Sequence, residues 1–348
     1  MKKSLLHRCF FSTLILALFL LSTLIFSAES VMASSDVIKW RCQVNWPPAS
    51  QSYAKSGQAV CKEIERRTNG RLVVELYTPG ALVPEKELFP AVKRGMIQIG
   101  VTASGYYRDQ VPLANISGLP MNFRDIWECT YFYQELGFEQ MMREALAKHG
   151  IFYSTDRVNP TQLALKKPIR KMEDFKGLKV RSYGVLHEFF NSLGAASSYI
   201  PGVEIYTSLA SGIVDGAHWA AATGNDNLGF YDICKYHLDL NLNTGGHEGW
   251  LVNQEAINKL PKDLQEILIS VLADHFWKRT NQFTIQDKFT LNNISKEKGV
   301  TILNFSPEEY MKMQQSAVKL WDVEAKKSPD SAKAVEILKS FMKDLGHL

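Results

Sequence analysis

Apolar residues in the first third of the chain follow two periods in turn. Residues 38–44 (IKWRCQV) read as a strand, and Trp46-Pro47-Pro48 ends it as a loop. Tyr53, Ala54, Gly57, Val60, Cys61 and Ile64 then recur at helical spacing, and Asn69-Gly70 stops the run. Residues 71–77 predict a second strand. A short helix over 84–94, opened by Pro84 and closed by Gly95, leads to a third strand over 96–102 that ends at Ala103-Ser104-Gly105. Strand–helix–strand–helix–strand describes one α/β unit.

The middle of the chain repeats that alternation. A short apolar strand over 178–180 ends on Arg181, and a helix-like run covers 187–193. A strand over 198–201, a helix over 204–210 and a strand over 213–217 follow, the last running into His218 and Trp219. Such alternation predicts a parallel, doubly wound sheet, in which ligands sit beyond the carboxyl ends of the strands. Arg181 and the His218–Trp219 pair fall at those ends. One arginine with an aromatic neighbour, facing a crevice, looks like a receptor for a small anion.

This second unit begins near Asn159-Pro160. Near Gly245-Gly246 the chain crosses back, because 250–253 reads as one more strand. An amphipathic stretch over 261–298 puts Leu264, Ile267, Leu268, Val271, Leu272 and His275 on one stripe, and is long enough to brace both units. Ser306 with Glu309 is a capping-box signature for a helix reaching Lys327, and 332–345 predicts a closing helix. The expected organisation is two discontinuous lobes, 34–158 with 248–300 and 159–247 with 301–348, around a cleft.

At the N-terminus Lys2, Lys3 and Arg8 precede an apolar run over 10–26, and Val31-Met32-Ala33 offers small residues for cleavage. That pattern predicts a secretory leader over 1–33 and a periplasmic protein, an uncleaved anchor being the other reading. The formal net charge of +4 falls close to neutral without the basic leader. No basic tract interleaved with aromatics follows, which argues against nucleic acid as a partner. Cys42, Cys61, Cys129 and Cys234 form no Cys-x-x-Cys. Cys42 and Cys61 either pair in an oxidising compartment or stay buried thiols.

Arg181 is the strongest candidate for chemistry, since its planar fork can hold a carboxylate through two parallel charge-assisted bonds. A structural ion pair with Glu173 or Asp174 is the plainer alternative. Trp46 and Tyr106 lie on loops after strands of the first unit, where the opposite wall of a cleft belongs. No Gly-x-Ser-x-Gly, His-Glu-x-x-His or Gly-x-x-x-x-Gly-Lys is present. Cys234, His237 and Asp239 read as packing and surface residues.

The residues from Gly177 to Arg181, Leu193 to Ala195, Glu204 to Leu209 and Gly212 to Gly216 together resemble the solute-receptor subunit of TRAP (tripartite ATP-independent periplasmic) transporters, of the dicarboxylate or 2-oxo-acid type. The likeness runs loosely from about Ile38 to about Trp321. It implies a two-lobed α/β periplasmic-binding-protein fold that captures a small organic carboxylate by lobe closure. The partners implied are the transporter's separate membrane subunits, with a homodimer as a further association. By the same resemblance Arg181 is the carboxylate anchor and Trp219 a wall on the ligand, while Gln162 and Glu248 match polar contacts of the 2-oxo-acid branch. His218 stands where that branch has a glutamate that helps hold a hard cation. With imidazole there, the expectation is that His218 touches the ligand directly as a protonated donor, with no metal and no cofactor. Two other classes stay open: an extracytoplasmic hydrolase or lyase using His218 and Glu248 as acid and base, and a sensor input module.

Overall fold

The computed structural model describes residues 37–348, so the leader expected over 1–33 lies outside the described residues. Two mixed sheets organise the chain. The first is built from β1 (Ile38–Val44), β2 (Leu72–Tyr77), β3 (Ile99–Ala103), β4 (Ile151–Thr155) and β10 (Glu248–Asn253), in the order β2-β1-β3-β10-β4. The second holds β5 (Asn159–Leu165), β6 (Lys179–Arg181), β7 (Ala196–Ser198), β8 (Gly216–His218), β9 (Tyr236–Gly245) and β11 (Thr301–Leu303), in the order β11-β9-β5-β8-β6-β7.

The expected parallel pairing holds only where helices make the crossovers. β6 runs parallel to β7 and β8, and β1 parallel to β3. β10 is antiparallel to β3 and β4, and β5 is antiparallel to β8 and β9. β5 and β10 are the strands by which the chain enters one sheet from the other, so no crossover helix imposes a parallel course on them. Helices Ile126–Gln134 and Phe138–Ala147 and strands β4 and β9 also join the fold, none of them among the predicted elements.

Some boundaries move for local reasons. The strand expected over 198–201 is β7 at Ala196–Ser198, because Pro201 starts the turn Gly202–Glu204. The strand expected over 213–217 is β8 at Gly216–His218; Gly212 is in the left-handed region and Ile213 is exposed. Glu309 completes only half of the capping box. Ser306 Oγ accepts from Glu309 N at 3.2 Å, but the Glu309 carboxylate accepts from Met172 N instead of reaching back to its own cap.

The stretch 261–298 is one helix, Lys262–Lys298, which packs on Ala59–Arg67 beside the first sheet and on Ala222–Asn227 beside the second. It buries Leu264, Leu268, Val271 and Leu272 toward its start and Phe283 and Ile294 further on. The last helix, Pro329–Asp344, lies on the first-sheet core through Ala334, Val335, Leu338 and Met342. The expectation that placed all of 301–348 with the second lobe is corrected to that extent. Among the described residues no helix is long and apolar enough to cross a membrane.

Besides the helix Lys262–Lys298, which leads from β10 to β11, two short crossings join the sheets, Asp156-Arg157-Val158 between β4 and β5 and Gly246-His247 between β9 and β10. Both are tightly held. A Cβ on Gly245 would stand 2.2 Å from Ser117 O, and one on Gly246 2.4 Å from Thr155 Cγ2, so glycine is the residue the second crossing admits. Cys42 and Cys61 are neighbouring free thiols, and burial pushes the Cys42 thiol well above the usual range.

Candidate functional site

Arg181 closes β6 and is fully buried. Its Nε donates to Ile200 O at 2.9 Å and its Nη1 to His218 O at 2.7 Å. The guanidinium lies over the rings of Tyr183 and Trp219, with centroids 5.2 and 5.3 Å away. Nη2 is buried with no partner in the protein. The alternative ion pair is not formed with Asp174, whose carboxylate accepts from the Arg170 and Lys171 backbone N–H groups. A buried guanidinium with one empty corner is costly unless something accepts from it.

Beyond the ends of β1, β3 and β6 and beside the start of β5 lies a narrow cavity, partly open to solvent. Trp46, Tyr106, Tyr183, Trp219 and Glu248 line it, together with Asn45, Arg157, Asn159, Thr161 and Phe283. Tyr106 stacks on Tyr183 at 5.6 Å and 15°, and meets Tyr199 edge-on at 5.8 Å and 80°. The first ring follows β3 and the second follows β6, so this stack joins the two sheets. It is possible because the loops touch: a Cβ on Gly105 would sit 3.3 Å from Gly184 Cα and 3.0 Å from the Tyr183 ring.

His218 is not on the cavity wall. Its ring is buried behind Tyr183, stacked at 5.4 Å and 15°. Nδ1 lies 3.0 Å from Ser182 Oγ and Nε2 3.0 Å from Thr161 Oγ1. Because the Thr161 hydroxyl donates to Asn243 Oδ1, it receives from His218, which puts the ring proton on Nε2. Burial, then the charges of Arg181 and His247, hold its pKa well below the usual histidine range. The expected protonated donor in direct ligand contact is therefore corrected to a neutral ring that positions Thr161.

Gln162 is also displaced. Its Nε2 donates to Asp239 at 2.6 Å and Asn241 at 3.3 Å, away from the cavity. Thr161 lies on the cavity face of β5, so Gln162 beside it points to the other face; the pairing with β9 is irregular between Thr161 and Leu163. Glu248 opens β10, with Arg157 Nη2 3.5 Å from its Oε2. Burial raises its carboxyl pKa while Arg157 pulls the other way.

The spacing of the sequence did not reveal two further groups. Glu85, in the turn Glu85–Glu87 after β2, is half-buried and hydrogen-bonded to Asn45, Tyr199 and Tyr106. Burial pushes its carboxyl up to about 7 against the pull of Arg181. The second is the crossing itself: Asp156 accepts from Ser56 Oγ at 3.1 Å, Trp250 Nε1 at 3.0 Å, His275 Nε2 at 3.0 Å and the Arg157 guanidinium. A charged Asp-Arg pair between two apolar strands was the one sequence signal for it.

Residues 44–328 match the family model described as bacterial extracellular solute-binding protein, family 7. The chain belongs to this family, the receptors of TRAP transporters. It is similar to the monocarboxylate 2-oxoacid-binding periplasmic protein all3028 of Nostoc sp. (25% identical over 331 residues, 92% of this chain and 88% of the relative). Among solved structures it is similar to a TRAP periplasmic solute-binding protein from Pseudoalteromonas atlantica with bound sodium and pyruvate (25% identity, TM-score 0.79, 89% of this chain and 95% of that one). A second is a TRAP receptor from Colwellia psychrerythraea with bound calcium and pyruvate (25% identity, TM-score 0.80, 89% and 95%). The family consists of receptors rather than enzymes, which removes the hydrolase or lyase alternative. The geometry agrees, since His218 bonds Ser182 and Thr161 while Glu248 faces Arg157.

Both of those structures hold a hard cation, and calcium takes six to eight oxygens. Here the position of the branch glutamate is the His218 ring, whose nitrogens are both engaged, and the Thr161 hydroxyl is engaged as well. Among the described residues no group of three His, Cys, Asp or Glu side chains could hold a metal ion. These residues do not fit a bridging hard cation.

Proposed function

We propose that this receptor binds a small organic carboxylate in the cavity between its sheets and presents it to the membrane subunits of a TRAP transporter. The unpartnered, buried Nη2 of Arg181 carries the reading: it is a charge-assisted donor waiting for an anion. Trp219, Tyr106 and Trp46 cover the carbon skeleton, and Thr161, held by His218 and Asn243, forms part of the wall. Glu248 with Arg157 forms the polar end. Residues 34–158 with 248–300 move as one lobe and 159–247 with most of 301–348 as the other, hinged at Asp156-Arg157 and Gly246-His247. Export through a cleaved leader over 1–33 and pairing of two copies complete the proposal. Native mass spectrometry of the purified protein, followed by calorimetry on a carboxylate panel, tests it. The expected result is stoichiometric binding with the ligand returned unchanged and a smaller radius of gyration in scattering. Turnover of the ligand, or identical scattering profiles, would count against capture by closure.

Two expectations follow from the side chains. Affinity should be unchanged by a chelator, because no cation is held by Thr161, His218 and Glu248; loss on chelation with recovery on adding calcium would sink this. Affinity should also fall as pH rises above about 7. Glu85 faces Arg181, Tyr106 and Tyr199, and its raised pKa of about 7 leaves it ionised at higher pH. A ligand carboxylate on Arg181 then meets a like charge and binds with uptake of a proton, at most about tenfold per pH unit. Calorimetry in buffers of different ionisation enthalpy reads that proton directly. Glu85→Gln should flatten the profile, and a flat wild-type profile would exclude the linkage.

A further inference from the structure

We infer that the ligand carries, besides its carboxylate, an N–H or O–H donor group, so that a hydroxy, amino or lactam carboxylate fits this cleft better than a bare 2-oxo acid. The inference rests on the carboxylate-receptor reading above and narrows it.

Several buried polar atoms around the cavity have no protein partner. Two are donors, Arg157 Nε on the wall and Arg181 Nη2, whose guanidinium lies over the Tyr183 and Trp219 rings. Two are acceptors, Asn45 Oδ1 and Asn159 Oδ1, both on residues that line the cavity. Trp46 and Glu248 join neither set, because the indole N–H and the Glu248 carboxylate serve each other. Chemistry fixes which end of each amide is free. Asn159 Nδ2 donates to Pro160 O at 2.9 Å, so the oxygen is the end left over. Asn45 is hydrogen-bonded to the Glu85 carboxylate, which favours its amide nitrogen as the donor and again leaves the oxygen.

A 2-oxo acid offers only lone pairs at neutral pH. Its carboxylate and keto oxygens suit the two donors and face the two acceptors with nothing to give. A ligand with one donor group serves both sets. Discrimination of this kind is asymmetric: a site built to pair a ligand N–H or O–H rejects the analogue lacking it far more strongly than an apolar pocket rejects an extra group. The cavity's departure from a cation site points the same way. Where a cation would neutralise acceptors gathered around a keto acid, these acceptors need a hydrogen instead.

The test is calorimetry at neutral pH with matched 2-oxo, 2-hydroxy and 2-amino acids of increasing chain length, starting from pyruvate, lactate and alanine, with pyroglutamate as the lactam. At least one donor-bearing member should bind about tenfold or more tighter than its 2-oxo partner. Asn159→Ala should erase most of that preference, weakening the donor-bearing ligand far more than its 2-oxo partner. Asn45→Ala, on the opposite sheet, serves if that variant melts early. Equal or tighter binding of the 2-oxo member at every length overturns the inference and leaves the carboxylate reading standing. If no carboxylate binds at all, the reading itself fails and the inference with it.

Discussion

Replacing Arg181 by lysine is expected to weaken the best carboxylate ligand by roughly 30–150-fold, about 2–3 kcal/mol, in a protein that still folds. The guanidinium serves three acceptors at fixed angles: Ile200 O, His218 O and whatever meets Nη2. It is also wedged between the faces of Tyr183 and Trp219. An ammonium keeps the charge, but as a compact point on a flexible stem it cannot span two carbonyls and a planar carboxylate together. It also lacks the flat surface that stacks on the two rings. Isothermal titration reads the loss, and a thermal melt of the same sample confirms the fold. Wild-type affinity in a well-folded Arg181→Lys variant would remove this residue from the site.

Asp156→Ala is expected to destabilise the protein by about 3–5 kcal/mol, the largest effect on stability foreseen here. Burial alone would raise this carboxyl, but His275, Arg157 and Arg279 outweigh it and hold the group well below the usual carboxylate range. It has no exposure and four donors converge on it. Alanine would leave Arg157 and Arg279 buried together with only the Glu248 carboxylate as a shared counter-charge. Arg279 is already lowered to about 10, by burial first and then by the charge of Arg157. The pH dependence follows in sign. A depressed carboxyl contributes stability above its ordinary range, and that contribution is lost as pH falls through and below that range. Wild-type protein should therefore lose stability in acid, and Asp156→Ala should flatten that part of the curve. Urea unfolding at neutral and acid pH measures both, and a change below about 1 kcal/mol would mean the crossing is not held by this charge.

Much of the architecture was legible because it is local. The strand over 38–44, the stop at Asn69-Gly70, the cap at Ser306 and the length of the helix Lys262–Lys298 follow from periodicity and turn chemistry within a few residues of each other. The position of Arg181 at a strand end was readable in the same way, since a short apolar run before a cation says where the strand stops. What failed was the fine placement of side chains around it. Gln162 and Thr161 lie on opposite faces of β5, and which of them meets the cavity depends on the pairing with β9, whose irregularity opposite Thr161–Leu163 no local pattern announces.

The sequence by itself determined the type of most elements, the two short crossings and the strand end that carries Arg181, because each depends on neighbours along the chain. Only the tertiary structure decided which polar groups became buried together. Asp156 meets Ser56, Trp250 and His275, Glu85 faces Arg181, and His218 turns to Ser182 and Thr161 instead of the cavity. These partners are far apart in sequence, and a charge or imidazole takes its protonation state from its surroundings in space, not from its position in the chain.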